Sequence, residues 1–208
     1  MEYSDEELIF RFKAGEKDSF EMLVKRYKSR VYNIVFNLVR DGHLAEDITQ
    51  EVFIRMYRFL PYFKGKSKFY TWLYRLMVNL TLNTMKRVKR DGFFAHTPNL
   101  EGELDLVEKV RDESFSPQKI LRNKELAKKI KQAVNSLSET LRATFILREF
   151  EDLSYAELAG VFGCSKGTIK SRIFRAREEL RRKLSPYLGE RVTDSLGGYK
   201  NDLQKAKK

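Results

Sequence analysis

From Phe20 onward the apolar residues recur at intervals of three and four: Phe20, Leu23, Val24, Tyr27, Val31, Ile34, Val35 and Leu38. Only a helix brings such positions onto one face, because 3.6 residues complete a turn, whereas a strand buries every second residue. The period returns in Leu44, Ile48, Val52, Met56 and Phe59. With only four prolines and eleven glycines in 208 residues, long helices run without interruption. The pattern predicts an all-α protein.

Helix punctuation divides the chain. Ser4 before Asp5, Glu6 and Glu7 predicts a short first helix that ends at Gly15. A second begins near Asp18 and is broken by Asp41-Gly42. A third runs from about residue 44 to 60, where Pro61 stops it, and a fourth from about 68 to 90 ends in KRVKR. Residues 1–90 thus form one helical domain. Residues 91–116 change character: Asp91, Glu101, Glu103, Asp105, Glu108, Asp112 and Glu113 stand against Lys109 and Arg111 alone, which predicts a flexible acidic linker. Ser116-Pro117 then suits an N-cap with proline at the first helical position. A helix and three further short helices make a second small domain over 117–185, and 186–208 reads as a disordered basic tail.

The 41 Lys and Arg against 29 Asp and Glu, a formal charge of +12, favour a polyanionic partner. Cys164 is the only cysteine, and His43 and His96 are the only histidines, so neither a disulfide nor a zinc site within the chain is expected. The start MEYSDEELIF lacks the basic and apolar parts of a secretory signal, and no apolar run is long enough to span a membrane. A cytoplasmic protein without a cofactor is expected.

The sharpest local signal is LSYAELAGVFGCSKGTIKSRIFRAREELRRKL, residues 153–184. Ser154 and Glu157 have the spacing of a capping box, Gly163 supplies a tight turn, and Ser165 can cap a second helix that buries Ile169, Ile173 and Ala176. The opposite face carries Lys166, Thr168, Lys170, Ser171, Arg172, Phe174 and Arg175. A glycine turn between two helices, the second basic, is the arrangement of a helix-turn-helix that reads the major groove.

A second cluster lies in FKGKSKFYTWLYRLMVN, residues 63–79. Here Phe63, Phe69, Tyr70, Trp72 and Tyr74 are interleaved with Lys64, Lys66, Lys68 and Arg75. Single-stranded nucleic acid needs both kinds of group, because phosphates seek cations and unstacked bases seek flat rings.

These two stretches, with LIFRFKAGEKDSFEMLVKRY and AEDITQEVFIRMYRFL, resemble the extracytoplasmic-function sigma factors of bacterial RNA polymerase, nearest to the envelope-stress type. The resemblance covers about three-quarters of the chain, in the family's order. It implies that residues 165–177 read the −35 promoter element as duplex, and that Phe63, Lys64, Ser67, Lys68, Phe69, Trp72, Arg75, Asn79 and Asn83 capture the melted −10 strand. It further implies that Asp47, Gln50, Glu51, Phe53, Ile54 and Tyr57 dock on the clamp helices of the polymerase's largest subunit. An anti-sigma factor would be a second partner, and the free chain would be a monomer. Relatives commonly have Cys-Pro-Val before the recognition helix, where this chain has Cys164-Ser165-Lys166. A stand-alone regulator lacks support because no dimerising heptad is present. A nucleic-acid enzyme lacks it because no paired metal-binding carboxylates, Ser/His/Asp set or phosphate-cradling glycine loop stands out.

Overall fold

The computed structural model describes residues 3–91 and 117–187, which form α-helices and one 3₁₀ turn without a strand. The acidic stretch beyond Asp91 and the tail beyond Tyr187 lie outside the described residues. The first helix, α1 (Asp5–Lys13), starts where the Ser4 hydroxyl accepts the Glu7 N–H at 3.2 Å. The second, α2 (Lys17–Val39), ends on Arg40 in the left-handed region at φ 66°. A side chain there costs about 1–2 kcal/mol, and the Arg40 N–H still bonds Phe36 O at 2.9 Å.

Asp41-Gly42 marks the break after α2, as expected, and it also starts the next helix. The Asp41 carboxylate accepts the Leu44 N–H at 2.9 Å, and Gly42 opens α3 (Gly42–Phe59). Pro61 sits in a 3₁₀ turn, Leu60–Tyr62, and α4 (Phe69–Arg90) follows the basic loop. Phe59 does not join the buried face of α3: it is 52% exposed, while Leu60 is fully buried. The reason is angular, since four residues beyond Met56 return closer to its direction than three do.

By their contacts, described residues 3–91 and 146–169 form one compact unit, and 117–145 and 170–187 a second. The first unit therefore takes in a segment that the sequence groups with the second domain. Within it α4 packs on α2, α3 and α7 (Tyr155–Phe162), over a core that includes Leu23, Val31, Val35, Val52, Met56, Leu73, Met77 and Leu158. Burying each such side chain contributes about 1.5–3 kcal/mol.

The capping box of α7 is complete: Ser154 Oγ accepts the Glu157 N–H at 3.2 Å, and the Glu157 carboxylate accepts the Ser154 N–H at 2.9 Å. Gly163 closes the helix at φ 61°, a conformation that disfavours any side chain. Gly160, a weak helix residue by itself, has a reason in packing. A Cβ there would stand 3.3 Å from Thr71 Cγ2 of α4.

The second unit is built from α5 (Pro117–Asn135), the start of α6 (Glu139–Glu149) and most of α8 (Lys166–Leu184). Ala133, Val134 and Leu137 share its core with Ala176, Leu180 and Leu184, flanked by Leu141 and Phe145. At nineteen residues α8 is a long helix, not one of three short ones.

Candidate nucleic-acid interface

The basic loop and α4 bring four rings into one cluster. Phe69 is 2% exposed and meets the Tyr27 ring edge-on at 5.4 Å. Above it lie the half-buried rings of Phe63, 6.1 Å away, and Trp72, 5.8 Å away, themselves 5.3 Å apart. Tyr27 is held by a bond from its hydroxyl to Asp5, and the backbone oxygen of Phe63 accepts from Lys13. Phe69 therefore departs from its expected role. Buried on the core side, it cannot stack on a base, but it fixes the two rings that can.

From Trp72 the helix carries Leu76, Asn79 and Asn83 at spacings of four, three and four, with Arg75 alongside. Both asparagines are exposed, as are Lys64, Ser67 and Lys68 around the loop. A ring pair, two amides and several cations thus share one surface. Amides both donate and accept, so they can read a base edge.

Tyr70 and Tyr74 stand on a different side of α4. Both point toward acidic residues. The Tyr74 hydroxyl donates to Glu151 Oε2 at 2.8 Å, and Arg30 Nε reaches the same oxygen at 2.6 Å. Glu157 Oε1 accepts from Tyr70 and, at 3.0 Å, from Lys68, while its other oxygen serves the α7 cap. The Tyr70 hydroxyl, then the Ser154 and Lys68 donors, pull the Glu157 carboxyl down to about 2 against the opposing effect of burial. Burial first, and then the glutamates, raise Tyr70 and Tyr74, so both hydroxyls stay protonated donors. Sequence reasoning missed this set because its partners lie far apart in the chain.

The helix-turn-helix presents its predicted residues outward. Ser165 Oγ accepts the Thr168 N–H at 3.1 Å and so starts α8. Ile169, Ile173 and Ala176 are buried, whereas Lys166, Thr168, Lys170, Ser171, Phe174 and Arg175 are exposed and Arg172 is half-buried.

On α3, Ala45, Ile48, Val52 and Met56 face the core, while Asp47, Gln50, Ile54 and Tyr57 form an exposed stripe at spacings of three and four. Glu51 and Phe53 flank it, half-buried. Ile54 is 47% and Tyr57 45% exposed, although the Tyr57 ring also meets Phe12 and Phe20 edge-on. Phe59 and Tyr62 add exposed aromatic area that the sequence did not single out. The signal was available in the helix angle of Phe59 and in the proline turn beneath Tyr62.

Comparison with known proteins identifies two family regions in the chain. Residues 23–91 match the family described as sigma-70 region 2, and residues 127–180 match sigma-70 region 4. The chain is 36% identical over 186 residues to the RNA polymerase sigma-H factor of Pseudomonas aeruginosa, covering 89% of this chain and 96% of the relative. It is also 36% identical, over 185 residues, to the extracytoplasmic-function sigma-E factor of Escherichia coli K12, with the same coverage. Its fold resembles a Bartonella quintana sigma factor solved with the anti-sigma factor NepR, at TM-score 0.59, 24% identity, and coverage of 79% of this chain and 96% of that one. It also resembles CnrH solved with the cytosolic domain of CnrY, at TM-score 0.60, 20% identity, and coverage of 86% and 96%.

Proposed function

The chain belongs to the extracytoplasmic-function sigma factors of bacterial RNA polymerase, and on that premise we propose how its surfaces divide the work of transcription initiation. Residues 1–90 bind core enzyme and the melted −10 strand, and 117–185 bind the −35 duplex. The α3 stripe, Asp47, Gln50, Glu51, Phe53, Ile54 and Tyr57, docks on the clamp helices of the largest polymerase subunit, with Phe59 and Tyr62 extending the contact. Lys166, Thr168, Lys170, Ser171, Arg172, Phe174 and Arg175 meet the −35 major groove. There arginine and lysine pair with guanine acceptors, and a ring contacts thymine methyls.

One observation carries the −10 assignment: the half-buried Phe63–Trp72 pair seated on buried Phe69, beside exposed Asn79 and Asn83. Extruding a base costs a few kcal/mol. Stacking returns about 1–3 kcal/mol per base, and a ring pair already locked in place loses little freedom when the base arrives. Lys64, Ser67, Lys68 and Arg75 hold the strand's phosphates. The protein works in the cytoplasm without a cofactor or a catalytic step of its own, and an anti-sigma factor restrains it. No helix among the described residues is long and apolar enough to cross a membrane.

Co-elution with core RNA polymerase, followed by transcription from a randomised promoter library, tests this reading. Stable association with promoter-selective transcripts is expected. Specific duplex binding by the free chain, without polymerase association, would overturn it. Ile54→Ala with Tyr57→Ala should abolish co-elution while the helical content stays unchanged.

A further inference from the structure

Beside the basic loop, the first unit holds an open cavity of about 310 Å³ lined by Phe12, Lys13, Gly15, Lys17, Tyr57 and Pro61. Ligand pockets span about 300–1,000 Å³, so this one has room for a single flat ring system and not for a helix. Its apolar wall is locked in place. Phe12, Phe20 and Tyr57 form a triangle, with ring centroids 5.4 Å, 5.4 Å and 5.0 Å apart.

The mouth of the cavity is cationic. Lys13 comes from the end of α1 and Lys17 from the start of α2. Between them Gly15, at φ 101°, makes a turn open to glycine, and both lysines line one space. Glu7 and Glu16 are turned to Arg11, at 3.1 Å and 3.7 Å, and neither lysine is held by a carboxylate among the described residues. A ring cluster that served only to pack α1 on α2 and α3 would need no cations at its mouth.

The cavity also continues the −10 surface. Lys13 donates to the backbone oxygen of Phe63, and the Phe63 ring lies 5.3 Å from Trp72. Cavity, Phe63, Trp72, Asn79 and Asn83 therefore follow one another across the domain.

We propose that this cavity is a second base site. It takes the next unstacked base of the melted strand, on the side of the Phe63–Trp72 pair away from Asn79 and Asn83. Phe12 and Tyr57 lie against that base, and Lys13 and Lys17 hold the phosphates that bound it. The proposal rests on the sigma reading above. A nucleotide within a strand has a phosphate on each side, and here two cations from two helices flank one ring-lined space. A partner's carboxylate would engage one of them and leave the other. The lining holds no amide or carboxylate side chain. Removal of the base should therefore matter, and exchange for another base should not.

The test uses holoenzyme assembled from the full-length chain and a bubble template made from a promoter that the randomised library selects. An abasic site is placed at each position of the unpaired strand in turn, and affinity is read by competition. The unsubstituted chain should show one sensitive position at the Phe63–Trp72 pair and a second within about two nucleotides of it. At the second, loss of the base should weaken binding about fivefold or more, while exchange of the base changes it less than about twofold. Phe12→Leu should cut the loss at the second position to less than about twofold and leave the first unchanged. Lys17→Gln, at an exposed position outside the core, should lower the salt slope of binding by about 0.7, the value for one phosphate on a single strand.

Absence of a second sensitive position would overturn the proposal, and so would an unchanged salt slope in Lys17→Gln. Loss of polymerase co-elution by both variants would overturn it as well, by assigning the cavity to a polymerase side chain, and would leave the sigma reading intact. An unsubstituted chain that binds no polymerase would instead overturn the sigma reading, and the second base site with it.

Discussion

Replacing Gly160 by alanine sets two effects of known size against each other. Within a helix, alanine is favoured over glycine by about 1 kcal/mol, because glycine loses more backbone freedom on folding. Here the new methyl would stand 3.3 Å from Thr71 Cγ2, closer than an ordinary van der Waals contact. Thr71 is 5% exposed and β-branched, so its side chain has little room to turn away. Overpacking of this kind costs about 1–3 kcal/mol. The net expectation is a loss of about 1 kcal/mol, within a range of about 0–2. Thr71→Ser removes Cγ2 and alone should cost about 1 kcal/mol for the lost methyl. Combined, the alanine methyl occupies the space vacated by Cγ2, which predicts a favourable coupling of about 1–2 kcal/mol. Urea unfolding of the four proteins, followed through Trp72, the chain's single tryptophan, reports on the unit that contains the contact. A single Gly160→Ala variant that gains about 1 kcal/mol, with no coupling to position 71, would refute the close approach of α4 and α7.

Asn79→Ala should slow open-complex formation while leaving polymerase co-elution unchanged, and Trp72→Ala should add the loss of a stacking partner, about 1–3 kcal/mol; permanganate footprinting of melted thymines measures both. Arg175→Ala should narrow the preference among −35 variants by about 1–3 kcal/mol in competition binding, and Lys166→Ala should weaken all variants alike if that lysine holds phosphate. Glu157 supplies a pH test. Its carboxyl is lowered from 4.5 to about 2, so its stabilising contribution is full above the ordinary value and is lost as pH falls toward 2. The urea midpoint of the unsubstituted chain should exceed that of Glu157→Gln by a constant amount from pH 8 down to about 5, and the two should converge between about pH 4.5 and 2. A difference that changes near neutrality would contradict the assignment.

Most of the helical architecture was legible because its causes are local. Ser4, Ser154, Glu157, Gly163 and Ser165 act on backbone groups within a few residues, and the three-four spacing identifies a face without knowledge of what covers it. The same locality places the break at Asp41-Gly42, where the carboxylate bond to Leu44 also starts α3 about two residues earlier than expected. The outward residues of α8 followed from its face, whereas the α3 stripe came from the family resemblance.

The division of labour among the aromatic residues did not follow. Phe63, Phe69, Tyr70, Trp72 and Tyr74 look equivalent in a basic segment. The position of α2 buries Phe69 against Tyr27, which leaves Phe63 and Trp72 as the accessible rings. The packing of α7 turns Tyr70 and Tyr74 toward acidic partners. These outcomes depend on contacts between residues about 40 to 90 positions apart, from Tyr27 with Phe69 to Thr71 with Gly160, and helical periodicity carries no information at that range. The sequence by itself determined the helices, their caps and the basic faces, because backbone bonds and charge are local. Only the tertiary structure decided which rings are free and which cations are already held, because burial and pairing belong to whatever element arrives from elsewhere in the chain.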